Sequence, residues 1–284
     1  MRTINLFDKT FAHSIGEDGF DTASAGRKPE KVQWIRNNFK WDGVTIFTDA
    51  FIPTDIPADV DSSYKVAWLM ESPAIHPWVY EAMPEKEHHY DKIITHHPDL
   101  LKRGDKYVRY TVGSLRVKDK DFGIHPKTKG VSVIASDKNH TAGHQLRHQL
   151  IGVCPELDKW GSGYNRFEDK TEPLKDYMFS VAILNHTIDN YFTEILTDCF
   201  ALGTVPIFWG TPNIGEFFDE KGIIRFENIE EFSKIKLSKQ LYEDMMPHIK
   251  RNYEIASKYY KSTDDIIANI IEREFYNKKL ECNY

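Results

Sequence analysis

Cysteine is too scarce here to hold a fold together. Cys154, Cys199 and Cys282 are the only three in 284 residues. They cannot all pair and show no metal-ligand spacing, so they read as reduced thiols of a cytoplasm-like compartment. Long apolar runs are missing too. No segment approaches the roughly 18 consecutive apolar residues of a membrane-spanning helix, and the opening MRTINLFDKT is not a secretory signal. Nor is positive charge in excess. Lys and Arg number 37 against 43 Asp and Glu, a formal net charge of −6, which argues against a general nucleic-acid binder. The sequence holds no internal repeat and no low-complexity tract. What is present is the composition of a globular chain, 40% hydrophobic and 28% charged, long enough for two domains.

Short strand-like runs alternate with short helix-like ones. In the first half RTINLF (2–7), VTIFTD (44–49), KVAWLM (65–70), DKIIT (91–95) and residues 107–111 read as strands. Helices are expected from Pro29 to about Phe39, around 78–83 and at 98–102, with loops at 13–28 and 52–63. Lys118 to Lys129, KDKDFGIHPKTK, has no periodicity and is the expected linker. Beyond it VSVIAS (131–136) opens a second α/β half, with a helix over about 141–153, a Gly-rich turn at Gly161-Ser162-Gly163 and a short strand at 222–226. The tail from Ser238 to Lys278 reads as helical, broken near Pro247 and capped again near Ser262-Thr263-Asp264. Such alternation predicts parallel sheets. The division expected is one α/β domain over 1–122 and a second, with C-terminal helices, over 123–284.

The densest pattern is Tyr177 to Ile214, YMFSVAILNHTIDNYFTEILTDCFALGTVPIFWGTPNI. FSVAIL reads as a buried strand, Asn185 to Asn190 as a polar turn, about 193–202 as a helix closed by Gly203, and VPIFW as a second strand. A strand–helix–strand unit of this kind is parallel with a right-handed crossover. Its polar groups, Asn185, Tyr191, Thr193 and Glu194, gather between the end of the first strand and the first helical turn. In open α/β sheets that edge binds ligands. The same residues also suit a turn and a capped helix start.

As a whole, this string resembles the donor-binding motif of the α-1,3/4-fucosyltransferases, glycosyltransferase family 10. Tyr177, Phe179, Asn185, Tyr191, Thr193, Glu194, Gly203, Pro206, Ile207, Gly210 and Pro212 match it. Leu184 stands where the family usually has Glu, and Ile195 where it usually has Lys. A second stretch, WLMESPAIHPW, is similar to a family strand ending in Glu-Ser-Pro, and residues 90–114 continue the likeness. Eukaryotic members usually carry a Golgi anchor, so the resemblance is to a bacterial or viral soluble type, or to a shortened form, and implies the cytoplasm or a membrane periphery.

The resemblance implies a GT-B enzyme, two Rossmann-like α/β domains facing a cleft. It would transfer fucose from GDP-fucose to a glycan hydroxyl with inversion, and without metal or other cofactor. Glu71 would be the general base, because a sugar hydroxyl is a poor nucleophile until its proton is removed. Glu194 would stabilise an oxocarbenium-like transition state, and Asn185 and Tyr191 would hold the nucleotide. Ser136 sits where a Ser-Asn element precedes a diphosphate-binding Arg. Arg147, Lys138 and His144 are the candidate cations, and Thr193 and Ile195 complete the donor set. The alternatives are a same-fold transferase using another nucleotide sugar, or a catalytically silent glycan- or nucleotide-binding protein. The pairs His88-His89 and His96-His97 and the Asp-x-Asp strings at 59–61 and 119–121 do not recommend a metal site.

Overall fold

The structure, a computed structural model, describes residues 1–9, 29–111, 113, 115–260 and 263–276. Cys282 and the whole of the loop expected at 13–28 lie outside them. The chain divides into two compact units, Met1–Val112 with Lys261–Tyr284, and Gly113–Tyr260.

The first unit is built on six strands: β1 (Arg2–Phe7), β2 (Val32–Arg36), β3 (Val44–Thr48), β4 (Tyr64–Trp68), β5 (Lys92–Thr95) and β6 (Tyr107–Arg109). All pair in parallel, in the order β2-β1-β3-β4-β5-β6. Helices α1 (Ile56–Asp59), α2 (Pro77–Lys86) and α3 (Pro98–Leu101) lie on the connections. Neighbouring residues of a strand feed opposite faces. Ala67 and Ile93 join Phe7, Phe47 and Met83 on one face, while Val66, Trp68 and Ile94 join Ile4, Leu6 and Ile46 on the other. That two-sided burial is why these strands are almost uninterruptedly apolar.

β2 replaces the helix expected from Pro29. Proline suits a first helical turn, but Val32 and Trp34 are buried and Gln33 between them is exposed. That is the period of a strand, and β1 supplies the partner edge, with Arg2 opposite Val32.

The second unit carries five parallel strands, β7 (Lys129–Ile134), β8 (Asp158–Trp160), β9 (Tyr177–Ile183), β10 (Val205–Trp209) and β11 (Ile224–Arg225), in the order β11-β10-β9-β7-β8. Its helices are α4 (Ala142–Val153), α5 (Glu194–Ala201), α6 (Ile229–Ser233) and α7 (Lys239–Ala256). The last helix, α8 (Thr263–Ile271), belongs with the first unit, where Ile267, Ala268 and Ile271 pack into the cluster of Ile4, Val32 and Trp34.

Two expectations give way here. α7 runs unbroken through Pro247. Tyr242, Met245, Ile249, Asn252 and Ala256 form one buried stripe that carries it, and Pro247 sits on the exposed side, where the carbonyl it leaves unbonded can take water. The Lys118–Lys129 stretch lies inside the second unit, and the division falls at Val112/Gly113 rather than 122/123. Its lack of periodicity reflects capping. The amides of Gly123 and His125 bond the carbonyls of Ala201 and Leu202 at the end of α5, at 3.0 and 3.4 Å. The buried Lys127 ammonium donates to the carbonyls of Lys175 and Leu202 and to the Thr204 hydroxyl, at 2.8, 2.7 and 3.0 Å.

Candidate functional site

The strand order of the second unit reverses between β7 and β9. From β7 the chain moves outward to β8, then returns to β9 and proceeds the other way to β10 and β11. The connections beyond the two carboxyl ends therefore diverge and leave a crevice. A cavity of about 260 Å³ occupies it, lined by Ile134, Ala135 and Ser136 at the end of β7, Ser180 and Val181 of β9, Arg147 of α4, Glu194 and Ile195 of α5, and Gly161, Ser162, Phe167, Lys170 and Leu174 of the β8–β9 connection.

Two glycines let these walls close up. A side chain on Gly143 would lie 1.7 Å from the Leu184 carbonyl, so the first turn of α4 rests directly on the end of β9. Gly161, at φ +113°, would place a Cβ 2.0 Å from the Ala135 carbonyl.

Arg147 is the chemically unusual wall. It is only 7% exposed, and burial pulls its guanidinium down to about 10, with Glu194 opposing, so it stays charged at neutral pH. Nη2 donates to Asn185 Oδ1 at 2.9 Å, whereas the buried Nε has no hydrogen-bond partner. A buried cationic donor with spare capacity suits an anion. Across the cavity Glu194 opens α5 behind Thr193, whose hydroxyl caps the helix by accepting from the Ile195 amide at 3.4 Å. The Lys170 ammonium stands 3.9 Å from Glu194 Oε1.

Of the residues expected from sequence, Ser136, Arg147, Glu194 and Ile195 line the cavity. Asn185 acts on it through Arg147, and Thr193 by capping. Lys138 is exposed outside it, its amide 3.4 Å from the Ser136 hydroxyl. His144 is buried, shares a hydrogen bond with Thr141 at 2.9 Å, and is held down at about 4 by burial and then by the charge of Arg147, so it is neutral and not a third cation. The Tyr191 ring is buried with Leu184, Phe192 and Phe208 in an apolar cluster rather than in the cavity wall. Lys170 and Phe167 escaped the sequence reading. The turn at Gly161-Ser162-Gly163 was the one signal that the β8–β9 connection mattered.

In the first unit Glu71 follows β4, and its backbone is held on both sides. The fully buried Asp49, just past β3, accepts from the amides of Met70 and Glu71 at 2.9 and 3.3 Å. The Tyr80 hydroxyl donates to the Glu71 carbonyl and lies 3.3 Å from His96 Nε2. His76 Nδ1 is 3.6 Å from Asp49, which raises the imidazole's proton affinity against the effect of burial, with the charge of Glu71 adding to it. Adjacent parallel strands thus bring Asp49, Glu71 and His96 to one sheet edge. Among the described residues no group of His, Cys, Asp and Glu is placed to hold a metal ion, and no helix is long and apolar enough to cross a membrane.

The α-(1,3)-fucosyltransferase FucT of Helicobacter pylori is 29% identical over 127 residues, which is 40% of this chain and 26% of that protein. A putative fucosyltransferase-like protein of Arabidopsis thaliana is 32% identical over 100 residues, 33% of this chain and 20% of that one. The chain thus spans about a quarter or less of the curated relatives it matches. Crystal structures of α1,3-fucosyltransferase alone, with GDP and with GDP-fucose share the fold at TM-scores of 0.53, 0.51 and 0.50 and 16% identity. They cover 96%, 92% and 92% of this chain and 88%, 81% and 81% of theirs. The two parallel-sheet α/β units are those of a GT-B protein. The family model of glycosyltransferase family 10 (fucosyltransferase), C-terminal part, matches residues 124–280, which hold the whole of the switch-point cavity. With more than half of its length matched, the chain belongs to glycosyltransferase family 10, the fucosyltransferases.

Proposed function

We propose that this protein transfers fucose from GDP-fucose to a glycan hydroxyl with inversion at the anomeric carbon and without a metal ion. The observation that carries the proposal is Arg147, a buried guanidinium with an unspent donor at the switch point of the family-matched unit. A departing nucleoside diphosphate is the species such a group stabilises, and a fixed guanidinium supplies locally the positive charge that a metal ion would otherwise bring. The solved relative bound to GDP-fucose supports the choice of donor.

Glu71 is the proposed base. Asp49 and Tyr80 fix the backbone that presents its side chain, and the carboxylate would take the acceptor proton. Glu194 is proposed to stabilise positive charge on the sugar. Leu184, buried among apolar side chains, offers the nucleoside no carboxylate, which is the observation favouring a different base in the donor.

The test is calorimetric titration with GDP, UDP and CMP, with and without EDTA, followed by transfer from the matching sugar nucleotides and NMR of the product anomer. GDP should bind best, EDTA should change nothing, and the product should carry the configuration opposite to the donor's. Loss of binding in EDTA, tighter UDP, or retention would each overturn its part of the proposal. GDP binding without turnover of any donor would leave a silent binding protein.

A further inference from the structure

Lys170 lies in EDKTEPLKD (168–176), within the irregular connection between β8 and β9. Three-quarters of its side chain is covered, at 26% exposure. A lysine covered to this extent lays its methylene stem along the protein and keeps its ammonium available. Among the described residues its ion pair is with Glu194, and at 3.9 Å that is longer than a hydrogen bond, so none of its three donors is spent there.

The segment presenting it is fixed. Asp169 Oδ1 accepts from the amide and the hydroxyl of Thr171, both at 3.0 Å. Glu172 Oε1 accepts from the amides of Glu168 and Asp169 at 3.0 and 2.9 Å. The Lys118 ammonium pairs with Asp169 at 2.6 Å. Leu174, four residues on, is buried with Leu115, Val117 and Cys199. Lys170 is therefore held at the cavity by a cross-linked turn, and little chain entropy remains to be lost when it meets a ligand.

The cavity's charges are Arg147 and Lys170 against Glu194. Ile134, Ala135, Phe167, Leu174, Val181 and Ile195 supply an apolar lining that strengthens any charge interaction inside. A diphosphate carries more negative charge than one guanidinium offsets, and α5, whose first turn faces the same space, offers Ile195 and no cation there. We infer that Lys170 is the second cation of a diphosphate site, reaching in from the β8–β9 connection and pairing with the phosphate that Arg147 does not. This assignment rests on the nucleotide-sugar reading and adds to it the residue that completes charge neutralisation.

The experiment measures binding of GDP, inorganic pyrophosphate and guanosine to the wild-type chain and to Lys170→Met at low ionic strength, with a melting curve for each. Loss of a charge-assisted bond should weaken GDP and pyrophosphate about ten- to a hundred-fold. Guanosine, which has no phosphate, should bind both proteins alike. Lys170→Gln makes the same comparison should the methionine variant melt early. Equal affinity of wild type and both variants for GDP and pyrophosphate would overturn the assignment. So would a loss that includes guanosine, because it would mark a general distortion. Wild type that binds pyrophosphate through Lys170 but not GDP would leave the assignment standing and retire the GDP-fucose reading instead.

Discussion

Arg147 and Asn185 meet across the crevice between β7 and β9, Nη2 to Oδ1 at 2.9 Å, although they are 38 residues apart. Asn185 lies two residues past the strand that runs from Tyr177 to Ile183, and Arg147 lies on the helix that follows β7. One bond thus orients the guanidinium and ties together the two elements that diverge at the switch point. Asn185→Ala should leave the fold intact and lower GDP affinity about ten-fold or more, because a hydrogen bond to a charged group is worth roughly 1.5–3 kcal/mol. Guanosine affinity should not change. Calorimetry on the two ligands checks this, and an Asn185→Ala protein that binds GDP normally would show that the guanidinium orients itself.

Glu71 and Asp49 divide their work between chemistry and placement. Glu71→Gln keeps the size and polarity of the side chain and removes the base. Turnover should fall on the order of 10²–10⁴-fold while donor affinity stays close to wild type. Asp49→Asn weakens the acceptor that holds the Met70 and Glu71 amides and the anionic partner of His76. It should lower kcat less than Glu71→Gln does and also change the pH profile, since His76 loses the charge that holds its proton. Steady-state kinetics across pH for both variants makes the check. A Glu71→Gln enzyme with near-normal turnover would remove Glu71 from the catalytic role.

Asp198 supplies a pH-dependent stability. It is fully buried on α5, its Oδ1 accepts the amides of Arg116 and Val117 at 2.7 and 3.3 Å, and its Oδ2 has no hydrogen-bond partner. Burial pushes the carboxyl up to about 7, with the charge of Lys170 opposing. An unfolded Asp titrates near about 3.9. Between these values the folded chain keeps a proton that the unfolded chain has lost, so this group makes stability fall as pH rises from about 4 through about 7. His144 acts in the opposite sense. Its folded value of about 4 lies below the unfolded one near about 6.5, so its contribution is lost as pH falls. The contribution of Asp198 therefore has to be read from a comparison. Asp198→Asn keeps the acceptor and removes the ionisation, and its melting temperature relative to wild type should climb between pH 5 and pH 8. A constant difference over that range would rule out the assignment.

Local signals account for what could be read from sequence. β9, α5 and β10 form one continuous strand–helix–strand unit, so Thr193 as cap and Glu194 as first helical residue were visible in the string itself. Arg147 is one of three candidate cations; burial separates it from the exposed Lys138, and its retained charge from the equally buried but neutral His144. Asp49 precedes Glu71 by 22 residues, and nothing short of the β3–β4 pairing makes them neighbours. No local pattern in EDKTEPLKD marks Lys170, and only the course of the chain after β8 carries it to the cavity. β2 was hidden behind a proline that also suits helix starts, and α7 shows a proline overridden by a long buried stripe.

Ile195 gives the sharpest test of the diphosphate site. It is half-buried, lines the cavity, and also packs against the cluster of Leu184, Phe192 and Leu196. A lysine there can lay its methylene stem along that cluster and extend its ammonium into the cavity. Ile195→Lys should then keep its melting temperature and bind GDP about ten-fold or more tightly. In a Lys170→Met background the same change should restore the lost affinity, since the cation would be supplied from α5 instead. If instead position 195 is simply core, burying an ammonium would be destabilising by several kcal/mol and add no affinity. Thermal melts with and without GDP separate the two outcomes, because a ligand that binds only the folded state raises the melting temperature by mass action. A larger GDP-induced shift in Ile195→Lys supports the site. A lower melting temperature with an unchanged or smaller shift would remove position 195 from the donor pocket.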